Sequence, residues 1–160
     1  MWLTAASCKE RGSEAMFIKQ ISVFLENRPG TLRELSALLG SGNIDIRELS
    51  VADTQHFGIV RLIISSESMD KAMALLKGAG YTARINNVIC AEIDDKPSGL
   101  ANLLTIIENE NLSVEYMYSF RRTPDGRALM VLRLSEKERG LAVLNAYGVR
   151  LYTQAEVDTL

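Results

Sequence analysis

The alternation of apolar and polar residues predicts a β-strand near the start of the chain. Ile21, Val23 and Leu25 are separated by Ser22 and Phe24, which is the two-residue period of a strand with one buried face. A helix is predicted next, because apolar residues then recur every three or four positions. These helical positions are Leu32, Leu35, Leu38 and Leu39.

Four further elements are predicted in the first half of the chain. Apolar positions within residues 44–51 indicate a second strand, and a hairpin at residues 55–58 leads to a third strand rich in β-branched residues. Ser68 is placed to cap a second helix that ends at a glycine, and residues 81–85 form a short last strand. The order strand, helix, strand, strand, helix, strand is the ferredoxin-like pattern.

The second half of the chain repeats the first at a fixed shift of 68 residues, without a gap. The same elements are therefore expected twice, with the helices of the second copy over residues 100–110 and 136–146. We predict an α+β fold of two tandem ferredoxin-like βαββαβ units with antiparallel sheets. The shift pairs Pro29 with Pro97, Asn43 with Asn111, Gly58 with Gly126 and Gly80 with Gly148.

The repeat sets the predicted domain bounds. The first domain covers residues 16–85 and the second covers residues 86–152, so that Asn86 and Asn87 are the whole linker. Residues 1–15 are expected to be a flexible leader upstream of a natural start at Met16, and residues 153–160 a C-terminal tail. Three pairs have the spacing of a helix capping box, namely Thr31 with Glu34, Ser135 with Glu138 and Thr153 with Glu156.

Composition excludes several classes of function. A net charge of −2 gives no overall attraction to nucleic acid, and no apolar run approaches the ~20 residues of a membrane span. The two cysteines, Cys8 and Cys90, lack the number for a disulfide framework and the spacing for zinc, which favours a cytoplasmic protein. No catalytic or phosphate-binding motif is present, so we expect a non-enzymatic protein without a cofactor.

The strand-to-helix connections carry the most chemical information. We name residues 26–32 the first turn and residues 94–100 the second turn. In the first turn Pro29 fixes its own φ, Gly30 permits a tight bend, and the helix that begins at Thr31 presents amides to an anion. The alternative is that a strand-to-helix corner needs such residues for structural reasons alone.

These residues resemble the ACT domain, here in tandem. The resemblance rests on Asn27-Arg28-Pro29-Gly30 followed by Leu32, on the segment Gly42-Asn43-Ile44-Asp45-Ile46, and on the duplicated ferredoxin-like order over Met16 to about Tyr152. ACT domains are regulatory modules that bind amino acids, usually at interfaces between paired domains. The regulatory domain of phosphoglycerate dehydrogenase is similar in both segments, and there two asparagines hold the serine effector.

The resemblance implies a ligand site that combines turn residues with the start of the second strand. An asparagine side chain both donates and accepts, so Asn27 and Asn43 are suited to the two ends of an amino acid. In the second copy Asp95 replaces the turn asparagine and Ser98 the glycine, so that site is either tuned differently or structural. The candidate residues are Asn27, Arg28, Pro29, Gly30, Thr31, Leu32, Asn43, Ile44, Asp95, Ser98, Gly99, Leu100, Asn111 and Leu112.

Several of these features have structural alternatives. Asn43 and Asn111 are also suited to close a helix in the left-handed conformation, and His56 is expected to be a surface turn residue. Met69 and Met73 are expected in the core. Tyr116 and Tyr118 either pack beneath a helix or line a pocket, and the arginines of the second hairpin, Arg121, Arg122 and Arg127, are expected to be solvated.

The predicted function is a regulatory protein that binds a free amino acid at an ACT–ACT interface and transmits occupancy to a partner or to its oligomeric state. A homodimer is expected, because ferredoxin-like units expose edge strands, and a metabolic enzyme is a further candidate partner. The alternative is a ligand-free interaction module that docks on a metabolic enzyme. Neither membrane nor nucleic acid is expected as a partner, since a ferredoxin-like RNA-binding domain would need stacking aromatics and a basic face.

Overall fold

The computed structural model describes residues 16–53 and 57–160. The predicted leader and the hairpin residue His56 lie outside these ranges. None of the helices within them is long and apolar enough to cross a membrane. The described chain separates into two compact units, one made of residues 19–86 and the other of residues 16–18 with 87–160.

The first unit has a three-strand ladder in the order β2, β3, β1, with antiparallel pairing throughout. Its buried cluster joins alternate residues of β1, such as Ile21 and Val23, to Leu35 and Leu39 of the first helix and Leu76 of the second. The alternation and the helical period therefore meet in one core, as their patterns predict. Its elements are β1 (Ile18–Glu26), α1 (Thr31–Ser41), β2 (Glu48–Asp53), β3 (Phe57–Ile63), a 3₁₀ turn (Ser66–Ser68) and α2 (Met69–Gly78).

The second unit repeats this plan. Its strands β4, β6 and β5 are neighbours in that order, β7 pairs with β4, and every pairing is antiparallel. Ile89 and Ala91 of β4 pack with Leu103 and Ile107 of its first helix and Leu144 of its second. Its elements are β4 (Thr82–Asp94), α3 (Gly99–Asn109), β5 (Val114–Arg122), β6 (Arg127–Leu134), α4 (Lys137–Ala146), β7 (Leu151–Tyr152) and α5 (Gln154–Thr159). The predicted fold of two ferredoxin-like units is confirmed.

One strand replaces the predicted linker. β4 runs without a break from Thr82 to Asp94, so Asn86 and Asn87 are strand residues and the predicted interruption is wrong. The amide nitrogen Nδ2 of Asn86 donates to Oγ of Ser22 at 2.8 Å. This bond satisfies the polar side chain of Asn86 within the sheet, where a linker was predicted.

The gapless repeat is wrong at the third strand of each unit. Leu25 of β1 stands opposite Gly58, but Ile93, the residue 68 positions later, stands opposite Ala128 instead of Gly126. Gly58 is a strand residue, whereas Gly126 lies in the hairpin turn with φ of 77°. The structural shift is therefore two residues longer at this strand. The connection from β3 to α2 is longer than the connection from β6 to α4, which restores the shift of 68 residues at the second helix of each unit.

Two of the predicted capping boxes are wrong and one is confirmed. The helix α4 begins at Lys137 with no side-chain cap, and Oγ of Ser135 instead accepts from the amide of Ser113 at 3.3 Å. Thr153 and Glu156 form a complete capping box on α5. Ser68 also provides no side-chain cap, because a 3₁₀ turn precedes α2 and its hydroxyl accepts from that of Ser65.

Candidate functional site

The first turn is a tight corner whose bend is made by glycine. Gly30 is the N-cap of α1, with φ of 93°, and no side chain caps this helix. The Thr31 hydroxyl donates to the carbonyl oxygens of Glu26 at 3.1 Å and Arg28 at 2.9 Å. The predicted capping box of Thr31 with Glu34 is therefore wrong, because the left-handed glycine takes the cap position and directs the threonine back to the strand.

The polar groups of the first turn face solvent. Nε of Arg28 lies 2.6 Å from Oε2 of Glu26, and the two side chains are 69% and 58% exposed. Asn27 and Pro29 are exposed as well. Such an exposed ion pair contributes little stability, so a ligand carboxylate can replace Glu26 beside Arg28 at small cost.

Helix α1 separates the two asparagines of the first copy. Asn43 follows the C-terminal end of α1 in the left-handed conformation, with φ of 53°. Its backbone N–H donates to the carbonyl oxygen of Gly40 at 2.8 Å. Because α1 has 11 residues, Asn27 and Asn43 are separated by a helix about 16 Å long. One unit therefore does not bring Asn27 and Asn43 together. Ile44, beside Asn43, is buried in the core.

The second turn has the same bend with different residues. Ser98 takes the left-handed position, with φ of 70°, and Gly99 begins α3. A Cβ at Gly99 would lie 2.0 Å from the carbonyl oxygen of Asp94, so the helix start is pressed directly onto the end of β4. Asn111 again closes the helix in the left-handed conformation, and Leu112 after it is buried, while Leu100 is exposed.

Intramolecular ion pairs neutralise the charges of the second turn. Nζ of Lys96 lies 2.8 Å from Oδ2 of Asp94, and Nε of Arg122 lies 3.2 Å from Oδ2 of Asp95. Arg127 also binds Asp94. Arg121 and Arg122 are exposed, as predicted, but the prediction is wrong for Arg127, because the strand register places it opposite Asp94.

The ion pairs continue along the sheet behind the second turn. Nε of Arg127 donates to Oε1 of Glu92 at 2.8 Å, and the hydroxyl of Tyr152 donates to Oε2 of Glu92 at 2.8 Å. This bond to Glu92 is the main cause that raises the pKa of Tyr152. Arg150 contacts the Tyr152 ring, with its guanidinium carbon 4.8 Å from the ring centroid, and binds Glu156 of α5.

A cleft of about 220 Å³ lies beside α3 in the second unit. Asn102, Leu103 and Ile106 of the helix form one wall, and Arg127 and Val149 contribute to the others. Both arginines that line this cleft are held by acidic side chains, Arg127 by Glu92 and Asp94, and Arg150 by Glu156. Its charged lining is therefore balanced within the protein and favours no net charge in a ligand.

Neither metal chemistry nor thiol chemistry is indicated in residues 16–53 and 57–160. Their His, Cys, Asp and Glu side chains form no group of three or more placed to hold a metal ion. Cys90 is fully buried, and burial is the main cause that raises its pKa to about 12. The neutral thiol is therefore a core residue.

Four further positions singled out in the sequence differ in burial. Met69 is buried and Met73 packs against the same cluster, as predicted. Tyr116 and Tyr118 are half-buried on β5.

The sequence interpretation missed two exposed aromatic side chains near the first turn. Phe24 is 42% exposed and Phe57 is 59% exposed. The signal was present for Phe24, because the alternation that buries Val23 and Leu25 directs it to the other face of the sheet. Phe57 could not be located in the same way, since its position depends on the register of β3.

Comparison with known proteins agrees with the fold. A family model described as an ACT domain pair matches residues 16–156. A protein of known crystal structure from Bacteroides thetaiotaomicron is 34% identical, with a TM-score of 0.82 over 92% of this chain and 99% of its own. No curated protein sequence matches the chain.

Two further structures share the fold at low identity. The ligand-free regulatory subunit of aspartate kinase from Thermus thermophilus is 14% identical, with a TM-score of 0.58 over 80% of this chain and 91% of its own. The corresponding subunit from Thermus flavus is 13% identical, with a TM-score of 0.57 over 80% of this chain and 90% of its own. At this identity the likeness concerns the fold alone.

Proposed function

This chain belongs to the ACT domain pair family, and we propose that it is a regulatory protein that binds a free amino acid at the first turn. The observation that supports this most directly is the contrast between the turns. The carboxylate that pairs with Arg28 is 58% exposed, whereas the carboxylates that pair with Lys96, Arg122 and Arg127 are at most 33% exposed. The first turn thus keeps a cation that a ligand can recruit.

The groups of the first turn match the two charged ends of an amino acid. The ligand carboxylate binds beside Arg28 and accepts hydrogen bonds from the backbone N–H groups of Leu32 and Arg33. These groups lie in the first turn of α1, where no helix carbonyl precedes them to accept. The helix dipole adds to the attraction. The side-chain oxygen of Asn27 accepts from the ligand ammonium.

A second copy of the chain completes the proposed site. Because α1 separates Asn27 from Asn43 in one unit, the Asn43 that contacts the ligand belongs to another copy. Ligand binding then favours the homodimer, by an amount equal to the difference in ligand affinity between the associated and separate states. The proposed role is regulatory, in the cytoplasm, with a metabolic enzyme as the protein that responds to occupancy, and it includes no catalytic step.

Calorimetric titration with each of the twenty amino acids tests this proposal. We expect heat with at least one, and we expect Asn27→Ala to weaken that binding at least about tenfold, the effect of losing one hydrogen bond to a charged group. Asn43→Gly removes the side-chain amide but keeps a residue that adopts the left-handed conformation readily. It should weaken binding without unfolding the chain, whereas Asn111→Gly, the same change in the second unit, should leave affinity unchanged.

Two results would contradict the proposal. Absence of heat and of thermal stabilisation with every amino acid would favour the alternative, a ligand-free module that docks on a metabolic enzyme. Unchanged affinity in Asn27→Ala would move the site away from the first turn.

A further inference from the structure

Phe24 and Phe57 form an apolar surface that ends where the first turn begins. We call these two residues the phenylalanine pair. In the register of β1 with β3, Phe57 stands opposite Glu26, the last residue of β1, and Phe24 stands opposite Ile59. The pair are thus diagonal neighbours on one face, a spacing that aromatic side chains can bridge.

In the part of the chain that the structure describes, the two helices of the first unit pack on the opposite face of this sheet. Ile21, Val23 and Leu25 of β1 enter the cluster shared with α1 and α2, and Phe24 points to the opposite side because strand residues alternate. Both phenylalanines keep about half of their side chains exposed. Adjacent exposed apolar side chains can mark a ligand-binding surface.

The second unit places an ion pair at the same two positions. In the register of β4 with β6, Glu92 stands opposite Leu129 and Arg127 stands opposite Asp94. Glu92 therefore takes the place of Phe24, and Arg127 the place of Phe57. The Nε to Oε1 distance of 2.8 Å between them shows that side chains at these diagonal positions touch.

We propose that the amino acid bound at the first turn has an apolar side chain, aliphatic or aromatic, which lies on the phenylalanine pair. This inference rests on the proposed function. Arg28 and the start of α1 take the carboxylate, and Arg28 is held at 2.6 Å by Glu26, the residue opposite Phe57. The polar end of the ligand and the aromatic surface are therefore adjacent.

The aromatic surface also selects against polar side chains. A ligand hydroxyl, amide or charge placed on the phenylalanine pair would lose water without gaining a hydrogen bond. An apolar side chain instead shields both rings from water. Glu92 and Arg127, the ion pair at the same positions of the second unit, would instead favour a polar side chain. The two turns therefore differ in the ligand chemistry that they favour as well as in exposure.

The test is calorimetric titration of the full chain with leucine, isoleucine, valine, methionine and phenylalanine, compared with glycine, serine, aspartate and lysine. We expect the first group to bind and the second to bind at least about tenfold more weakly. Phe57→Ala should weaken binding of the best ligand about tenfold, as expected for a central aromatic contact. Val51→Ala is the control, because Val51 is an apolar residue of the same sheet that is 50% exposed. It stands opposite the core residue Val60 and therefore lies on the face away from the phenylalanine pair.

The double variant Phe24→Glu with Phe57→Arg transfers the ion pair of the second unit to the first. It should remain folded, because the second unit holds the same pair at the same positions, and it should lose binding of apolar amino acids. Circular dichroism and thermal unfolding verify the fold, and sedimentation reports the oligomeric state.

The outcomes separate this inference from the proposed function. If serine or aspartate binds best, and affinity falls in Asn27→Ala but not in the double variant, the amino-acid site stands and the apolar specificity is wrong. If the double variant dissociates a dimer and keeps its ligand affinity, the phenylalanine pair belongs to a contact between copies, and the inference is again overturned. If no amino acid binds the unaltered chain, the proposed function itself fails.

Discussion

Replacing Gly99 by alanine tests how closely α3 is pressed onto β4 at the second turn. The new Cβ would lie 2.0 Å from the carbonyl oxygen of Asp94 and 3.0 Å from its carbonyl carbon, and Cβ atoms essentially never approach other atoms within 3.0 Å. The helix and the strand must therefore separate by about 1 Å. The obstructing atoms are backbone and cannot rotate away, so the upper part of the usual overpacking cost of about 1–3 kcal/mol applies.

The net effect is smaller because alanine favours a helix more than glycine does. This preference offsets up to about 1 kcal/mol, which leaves a net loss of about 2 kcal/mol in the free energy of unfolding. Such a loss lowers the melting temperature by about 4–8 °C in a chain of this size. Urea unfolding followed by circular dichroism measures it directly.

Gly40→Ala is the control for Gly99→Ala. Gly40 lies within α1, and a Cβ there would meet nothing within 4 Å. It should therefore gain up to about 1 kcal/mol from the helix preference alone. If Gly99→Ala matched the unaltered chain within about 0.5 kcal/mol, the close contact of α3 with β4 would be refuted.

Three further predictions concern the second unit. Ser98→Gly should raise stability by up to about 1 kcal/mol in thermal unfolding, because Ser98 has a left-handed φ of 70° that glycine adopts without strain; a lower melting temperature would contradict this. The pKa of Glu156 is lowered, first by the backbone amide of Thr153 and then by the side chain of Arg150. The stability from Glu156 is therefore present above the usual glutamate pKa of about 4.3 and is lost as the pH falls through the lower pKa of the folded state. Glu156→Gln should therefore lose less stability than the unaltered chain when the pH is lowered. An unchanged dependence of stability on pH would refute this. In a Cys8→Ser background, Cys90 should react slowly with thiol reagents at neutral pH, because burial raises its pKa to about 12; labelling as fast as that of the unfolded chain would disprove its burial.

The periodic features of the fold could be predicted from the sequence. Strand alternation around Val23 and the helical spacing of Leu35 and Leu39 fix both element types, and the repeat doubles the evidence for each. The bounds of α2 and α4 differ by the predicted 68 residues, from Met69 to Lys137. Amphipathic patterns are reliable here because each element buries one face against the core of its own unit.

Features that depend on backbone details could not be read in the same way. The Thr31 and Ser135 motifs have the spacing of a capping box, but the residue at the cap position is Gly30 in one helix and Glu136 in the other. The spacing is therefore necessary for a capping box and does not suffice. Thr153 forms a capping box with Glu156 because Thr153 is itself the N-cap residue.

The candidate site was only partly accessible to sequence reasoning. The first turn follows from Pro29 and Gly30, and the separation of Asn27 from Asn43 also follows from the predicted helix that lies between them. The phenylalanine pair depends on the register of β3, which differs by two residues between the copies and cannot be seen in a gapless repeat. Contacts across strands require the register, and the sequence does not supply it.

The central claim is that the first turn binds an amino acid and the second does not. Calorimetric titration of the full chain with the best ligand of the apolar group tests this most directly, because it gives affinity and stoichiometry together. We expect one ligand per chain, with binding weakened at least about tenfold in Asn27→Ala and unchanged in Asn111→Gly. Two equal sites per chain, or full affinity in Asn27→Ala, would contradict it.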